Sequence, residues 1–319
     1  MPAAVLLTLG GVVLLYGGAE SLVRGSSALA LRLGLSPLLV GLTVVAFGTS
    51  SPELAVSLRS ALAGQGDIAL GNVVGSNIAN VALILGICAL VRPLRVHAQV
   101  IRWDAPLLLA CSVLLVALLA DGVLSRPEGA GLFAGVVAYV AWGVVPCRAV
   151  LSRREASPSV RDEFAEGLPA VPRRVGAEVL LVAVGLGLLV LGGRLLVSGA
   201  VTLARGVGLS EAFIGLTVIA VGTSLPELAT SVVAAVRGEA DLAVGNVVGS
   251  NLFNLLGVAG LASWVHPVAL AGVTRVDLFV MVAAAAAVLP VVWTGHRVTR
   301  TEGGLLALGY CAYVGWLLV

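Results

Sequence analysis

The sequence predicts an all-α polytopic membrane protein with ten transmembrane helices arranged as two inverted five-helix repeats. Three observations carry that expectation. Of 319 residues, 59% are hydrophobic and only 11% charged, where a soluble domain carries about a quarter charged residues. Apolar runs of membrane-spanning length recur along nearly the whole chain, and because they are continuous rather than alternating they exclude a transmembrane barrel. The third observation is an internal duplication. Gly41–Asn80 returns as Gly215–Asn254 at a constant offset of 174 residues, with 25 of 40 positions identical.

Taken in order, the first helix is expected over 3–30, closed by the turn Gly34-Leu-Ser-Pro37. Its Gly18, Val23, Gly25 and Gly34 recur as Gly192, Val197, Gly199 and Gly208, so it is read as part of the duplicated structure and not as a cleaved leader. The second helix runs from Pro37 to Ala63, interrupted at Gly48 and Pro52, and Gly64-Gln-Gly-Asp67 turns the chain. The third begins at Asp67, expected as its N-cap, and stops before Arg92-Pro-Leu-Arg95. The fourth and fifth fall at 104–121 and 129–147. Residues 148–174 form the only long polar stretch and read as a linker between the units 1–147 and 175–319. The second unit repeats the helices at 175–204, 211–236, 241–264, 273–293 and 303–319.

Five helices per repeat is an odd number, so the second copy enters the membrane from the opposite side, as in many secondary transporters. Arginine placement sets the orientation. All 19 basic residues are Arg; with both termini outside, only Arg59, Arg126, Arg194, Arg205 and Arg275 fall on the outer side. The protein is therefore expected as a multi-pass protein of a prokaryotic inner (plasma) membrane. A net charge of +2 offers nothing to nucleic acid. Cys88, Cys111, Cys147 and Cys311 lack metal-ligand spacing and read as small buried hydrophobes.

The chemistry concentrates in the duplicated stretch. Glu53 and Glu227 lie in the middle of apolar helices, where an ionised carboxylate is costly unless it is paired or holds a cation, and no arginine stands at their depth. Two carboxylates facing each other across a pseudo-twofold axis balance one divalent cation. Pro52 and Pro226 free backbone carbonyls around Ala46–Gly48 and Ala220–Gly222, and Thr49, Ser50, Thr223 and Ser224 add neutral oxygens. An all-oxygen set suits a hard cation, calcium or sodium. Asn72, Ser76 and Asn80 share one face of the third helix, as Asn246, Ser250 and Asn254 share one of the eighth. Asn80 and Asn254 read as ligands; Asn72 and Asn246 fit either ligation or inter-helix hydrogen bonding. Gly71 with Gly75, and Gly245 with Gly249, allow close helix approach. Asp67 and Asp241 read as caps, and Glu20, Asp104 and Asp277 as interfacial.

Several chemistries drop out. Gly64-Gln-Gly-Asp67 matches the GxGD pattern of intramembrane aspartyl proteases, but its copy reads Gly238-Glu-Ala-Asp241 and no partner aspartate lies mid-helix. Neither a zinc-protease HExxH nor a phosphate-binding loop occurs. No enzyme and no cofactor is expected.

The doubled Gly-Thr-Ser-x-Pro-Glu and Gly-Asn-x-x-Gly-Ser-Asn-x-x-Asn pattern, with 27 residues from Glu53 to Asn80 and from Glu227 to Asn254, resembles the calcium:cation antiporter superfamily, in particular its prokaryotic sodium/calcium exchangers. That resemblance implies exchange of calcium for sodium by alternating access. It implies calcium held by Glu53, Glu227 and the Thr49 and Thr223 carbonyls, with sodium sites drawing on Ala46, Ser50, Ser76, Ala220, Ser224 and Ser250. It also makes the first and sixth helices a sliding gate, eased by Gly17-Gly18 and Gly192-Gly193. Two positions depart from the family pattern. Asn254 stands where some relatives carry Asp, which leaves the coupling ion open among sodium, protons and a potassium requirement. Ala79 stands where the other copy has Phe253, a difference of packing. A passive cation channel is the rival from another class. Affinity, stoichiometry and oligomeric state are not legible.

Overall fold

The computed structural model describes residues 2–33, 35–154, 175–206, 220–270 and 272–317. The described chain is helical apart from four two-residue strands. Helix α1 spans Pro2–Leu33, and α2 (Pro37–Thr49) and α3 (Ser51–Leu62) form one element bent by 46°. Then follow α4 (Gly66–Val91), α5 (Val100–Asp121) and α6 (Arg126–Arg154). In the second half α7 covers Val175–Gly206, α8 Ala220–Thr223, α9 Leu225–Arg237, α10 Ala240–Val265, α11 Arg275–Trp293 and α12 Arg300–Leu317. Among the described residues six helices are long and apolar enough to cross a membrane, seven with α2–α3 taken as one bent span. The protein is an all-α membrane protein.

Local chemistry explains where the elements start and stop. Ser36 caps α2 by accepting from the Leu39 N–H at 3.2 Å, and Pro37 occupies the first turn, where its missing N–H costs nothing. Gly64 and Gly238 close α3 and α9 with φ of 72° and 84°, a left-handed geometry that favours glycine. Asp67 and Asp241 are not the caps expected of them. The cap positions fall on Gln65 and Glu239, neither using its side chain, and both aspartates sit inside the first turn, where a carboxylate suits the positive end of the helix dipole. The fifth helix also outruns its expected end: α6 continues to Arg154, into the segment assigned to the linker, and 155–174 lie outside the described residues.

The longest helices pair with each other. α1 and α7, 32 residues apiece and about 48 Å long, exceed the roughly 30 Å hydrocarbon core. They pack against one another through glycines spaced by seven, Gly11, Gly18 and Gly25 against Gly185, Gly192 and Gly199. A Cβ on Gly18 would stand 2.8 Å from the Leu189 nitrogen and 2.9 Å from the Gly185 oxygen, so the backbones touch. Of the expected glycine pairs only Gly18 and Gly192 serve this seam; Gly17 has no neighbour there, and Gly193 looks toward Gly222 and Pro226.

The two halves interlock, and contacts recur at the offset of the duplication. Gly86 of α4 meets Gly303 of α12, while Gly260 of α10 meets Gly129 of α6. The strand Leu94–Arg95 (β1) pairs antiparallel with Arg297–Val298 (β4), as Val123–Leu124 (β2) pairs with Val268–Ala269 (β3). Gly245 and Gly249 admit α2: added Cβ atoms would lie 2.8 Å from the Leu38 oxygen and 2.6 Å from the Leu42 oxygen. The matching partner of Gly71 and Gly75 falls around 212–220, outside the fully described residues. The central layer, α4 and α10, is the most buried; in α10 the apolar stretch is completely covered.

Charged groups away from the centre are also more engaged than composition indicated. Asp104 is fully buried within the protein and accepts from the Tyr139 hydroxyl at 3.0 Å. Asp277 accepts from Tyr313 at 2.7 Å in the equivalent contact. Glu20 binds Arg24 and Arg237, and Glu178 binds Arg32. Cys88 and Cys111 are buried as expected, but Cys311 is exposed; the Cys147 side chain lies outside the described residues.

Candidate ion-binding site

The site begins with a break in a helix. Pro52 has no N–H to offer the Gly48 carbonyl, so hydrogen bonding lapses and Ser50 leaves helical geometry at φ −83°, ψ 7°. Ser224 does the same before Pro226, at φ −87°, ψ 9°. Each break presents a threonine and a serine just ahead of a new helix whose first turn carries the glutamate. Glu53 is 1% and Glu227 0% exposed.

The two breaks are wired crosswise. Ser50 Oγ donates to Glu227 Oε1 at 2.7 Å, and Ser224 Oγ donates to Glu53 Oε1 at 3.2 Å. Ser224 Oγ also lies 3.4 Å from Ser76 Oγ. Each glutamate therefore meets a serine from the other half of the chain. The remaining oxygens, Glu53 Oε2 and Glu227 Oε2, are buried without a hydrogen-bond partner. So are both polar atoms of Asn80 and of Asn254, and Ser250 Oγ. Asn80 and Asn254 sit in widened π-helical turns, Ala79–Leu85 and Phe253–Val258, a feature common at functional sites.

Asn72 and Asn246, which fit either role by sequence, make inter-helix hydrogen bonds. Asn72 Nδ2 donates to the Glu53 carbonyl at 3.1 Å and to Ser57 Oγ at 2.9 Å. Asn246 Nδ2 donates to the Glu227 carbonyl at 3.4 Å and to Ser231 Oγ at 2.9 Å. Their Oδ1 atoms accept across the halves, Asn246 from Thr49 Oγ1 at 3.1 Å and Asn72 from Thr223 Oγ1 at 3.4 Å. These residues clamp the breaks in place. The threonine hydroxyls are thereby engaged. The Ala46 carbonyl accepts the Ser50 N–H at 3.0 Å and the Thr49 hydroxyl at 3.3 Å. Ala220 opens α8, and its side chain lies outside the described residues.

Four residues that sequence reasoning passed over belong to this assembly. Ser57 and Ser231, one turn beyond each glutamate, receive the clamp; that both are serine at an offset of 174 was the available signal. Asn77 and Asn251, beside Ser76 and Ser250, are buried, donate to the Val73 and Val247 carbonyls, and leave Oδ1 without a partner. Phe253 packs edge-on against Phe47 with ring centroids 4.9 Å apart, while Ala79 and Val221 hold the equivalent positions. The Phe-to-Ala difference is one of packing.

No ion pair among the described residues involves Glu53 or Glu227. Two buried carboxylates without a cationic side chain, ringed by hydroxyl and amide oxygens and lacking His or Cys, form a donor set for a hard cation. A cleft of 430 Å³ reaches the first break between α7 and α2–α3, lined by Gly48, Ser51, Leu186, Gly187, Val190, Leu191 and Arg194.

A family model described as sodium/calcium exchanger protein matches residues 3–145 and 177–319. The chain belongs to the sodium/calcium exchanger family. This family member is 32% identical over 341 residues to the sodium/calcium exchanger MaX1 of Methanosarcina acetivorans, covering 97% of both chains. It is 40% identical over 269 residues to the inner membrane protein YrbG of Escherichia coli K12, covering 84% of this chain and 81% of that protein. Its fold matches the sodium-calcium exchanger NCX_Mj, soaked with zero Na+ and Ca2+, with a TM-score of 0.82 and 27% identity over 99% of each chain. It is thus a multi-pass membrane protein of a family of cation/calcium antiporters.

Proposed function

We propose that this antiporter exchanges calcium for sodium by alternating access, with calcium held between Glu53 and Glu227. The observation that carries the reading is the crosswise pairing of Ser50 with Glu227 and Ser224 with Glu53, which places two otherwise unpaired buried carboxylates in one oxygen-lined centre. Their outer oxygens, with the Thr49 and Thr223 backbone carbonyls, would hold calcium. Sodium would take overlapping positions drawing on Ser50, Ser76, Ser224, Ser250, Ala46 and Ala220, with Asn80 and Asn254 at the flanks. Their unpartnered amides support that assignment.

The finer architecture belongs to the same proposal: ten helices in two inverted repeats, units 1–147 and 175–319 joined at 148–174, and both termini outside. The mutual exchange of contacts at a constant offset supports it. Calcium and sodium compete for the carboxylates, and filling by either neutralises the centre so that α1 and α7 slide past it. An empty, doubly negative centre crosses poorly, which couples the two fluxes. The deciding experiment is radiocalcium uptake into proteoliposomes loaded with sodium, potassium or choline. Uptake that requires an outward sodium gradient is expected. Uptake driven by a pH gradient without sodium would keep the site and change the coupling ion, and flux following voltage alone would replace antiport with a channel.

A further inference from the structure

The two halves match in sequence but differ in contact. α1 packs along α9, whose Pro226, Thr230 and Val233 are buried. On α3 the equivalent Pro52 is half-buried, Val56 and Arg59 are exposed, and α7 makes no extended contact with that helix. α1 covers α9 where α7 leaves α3 uncovered, and a cleft at Gly187 and Ser51 lies on that uncovered side.

An ion-pair cluster holds the covered side. Arg237 Nε, at the end of α9, donates to Glu20 Oε2 at 2.7 Å, its Nη2 pairs with the other oxygen of the same carboxylate, and Arg24 Nη2 reaches Glu20 at 2.6 Å. The duplication does not repeat this cluster. An offset of 174 residues carries Glu20 to Arg194, Arg24 to Ser198 and, in reverse, Arg237 to Ala63 and Val233 to Arg59. If α7 were to close on α3 as α1 now closes on α9, Arg194 would meet Ala63 with Arg59 one turn away. An attraction would be exchanged for a repulsion.

We propose that Glu20 and Arg237 form a one-sided latch, and that they are positioning residues which bias the exchanger toward the state open along α3. The inference rests on the alternating-access reading above. A contact made in only one of two states shifts their populations by the contact's own free energy. Here the pair is partly exposed, with side-chain exposures of 33% for Arg237 and 20% for Glu20, so its effect is modest.

The test reads the open cleft directly. Gly187 lines it, and a Cβ there meets nothing within 4 Å, so Gly187→Cys is introduced with Cys88, Cys111, Cys147 and Cys311 replaced by serine. The rate of labelling by a membrane-impermeant maleimide is then measured in reconstituted protein, with and without calcium. Glu20→Gln is expected to slow labelling about two- to fivefold, the range of a partly exposed ion pair. The exchange E20R with R237E is expected to restore it. Ala63→Glu, at an exposed helix end, is expected to slow labelling in the parent, because it gives Arg194 the carboxylate it lacks. Labelling that responds to calcium but not to Glu20→Gln or Ala63→Glu would overturn the latch and leave alternating access standing. A Glu20→Gln defect that the charge exchange does not restore would also overturn it. Labelling indifferent to calcium and to every variant would overturn both readings.

Discussion

Ser50 and Ser224 each serve a glutamate from the other half of the chain, so the carboxylates cannot be separated without breaking hydrogen bonds across the whole molecule. Losing one such bond to a charged acceptor costs about 1.5–3 kcal/mol. Ser50→Ala is therefore expected to weaken calcium binding by about tenfold or more, read by calorimetry on purified protein. Glu53→Gln and Glu227→Gln remove charge as well as a ligand and are expected to abolish calcium uptake; near-normal exchange by either would sink the site assignment. Asn72→Ala should behave differently. Its amide holds the Glu53 carbonyl and Ser57, so it loosens the break without removing a proposed ligand. Weaker binding together with lower thermal stability is expected, whereas unchanged stability would place Asn72 on the ion.

Among the elements, helix breaks were legible because proline has one fixed chemistry, and the break falls at Ser50, between the Gly48 and Pro52 at which the sequence set it. Cap identities were not. Asp67 looked like a cap by residue type, yet the helix starts earlier because nothing in the local sequence forbids one more residue. The α1–α7 seam was half legible: the glycines were visible, but which of them face the partner depends on the phase of the two helices. Backbone contact at Gly18 makes a size test direct. Gly18→Leu places atoms where Leu189 and Gly185 already stand and is expected to slow exchange severely while leaving calcium binding within a fewfold of the parent. Equal loss of both would mean that the seam holds the site together and does not slide.

Among the described residues, each half covers much of the other's surface. β1 pairs with β4, β2 with β3, α4 packs on α12 and α6 on α10. Either unit expressed alone, 1–154 or 175–319, is expected to be degraded or inert in calcium uptake. The two expressed together are expected to assemble and exchange calcium, because the contacts that join them do not depend on a peptide bond between 154 and 175. Uptake by one half alone would contradict the interlocked arrangement.

The sequence alone determined the membrane class, the duplication and the two glutamates, since each is a statement about hydrocarbon solubility: apolar runs must be buried in lipid, and a carboxylate among them must have a reason. It also located most of the polar residues around those glutamates, though not Ser57, Ser231, Asn77 and Asn251. The tertiary structure decided which of them meet. A repeat offset equates Ser50 with Ser224 but is silent on whether each faces its own glutamate or the other, and only the crossing of the halves answers that. The division of labour between clamping and unpartnered asparagines, the burial of Asp104 against Tyr139, and the difference between a covered and an uncovered side all depend on helix phase. That is set by packing among distant segments, where the local sequence has no influence.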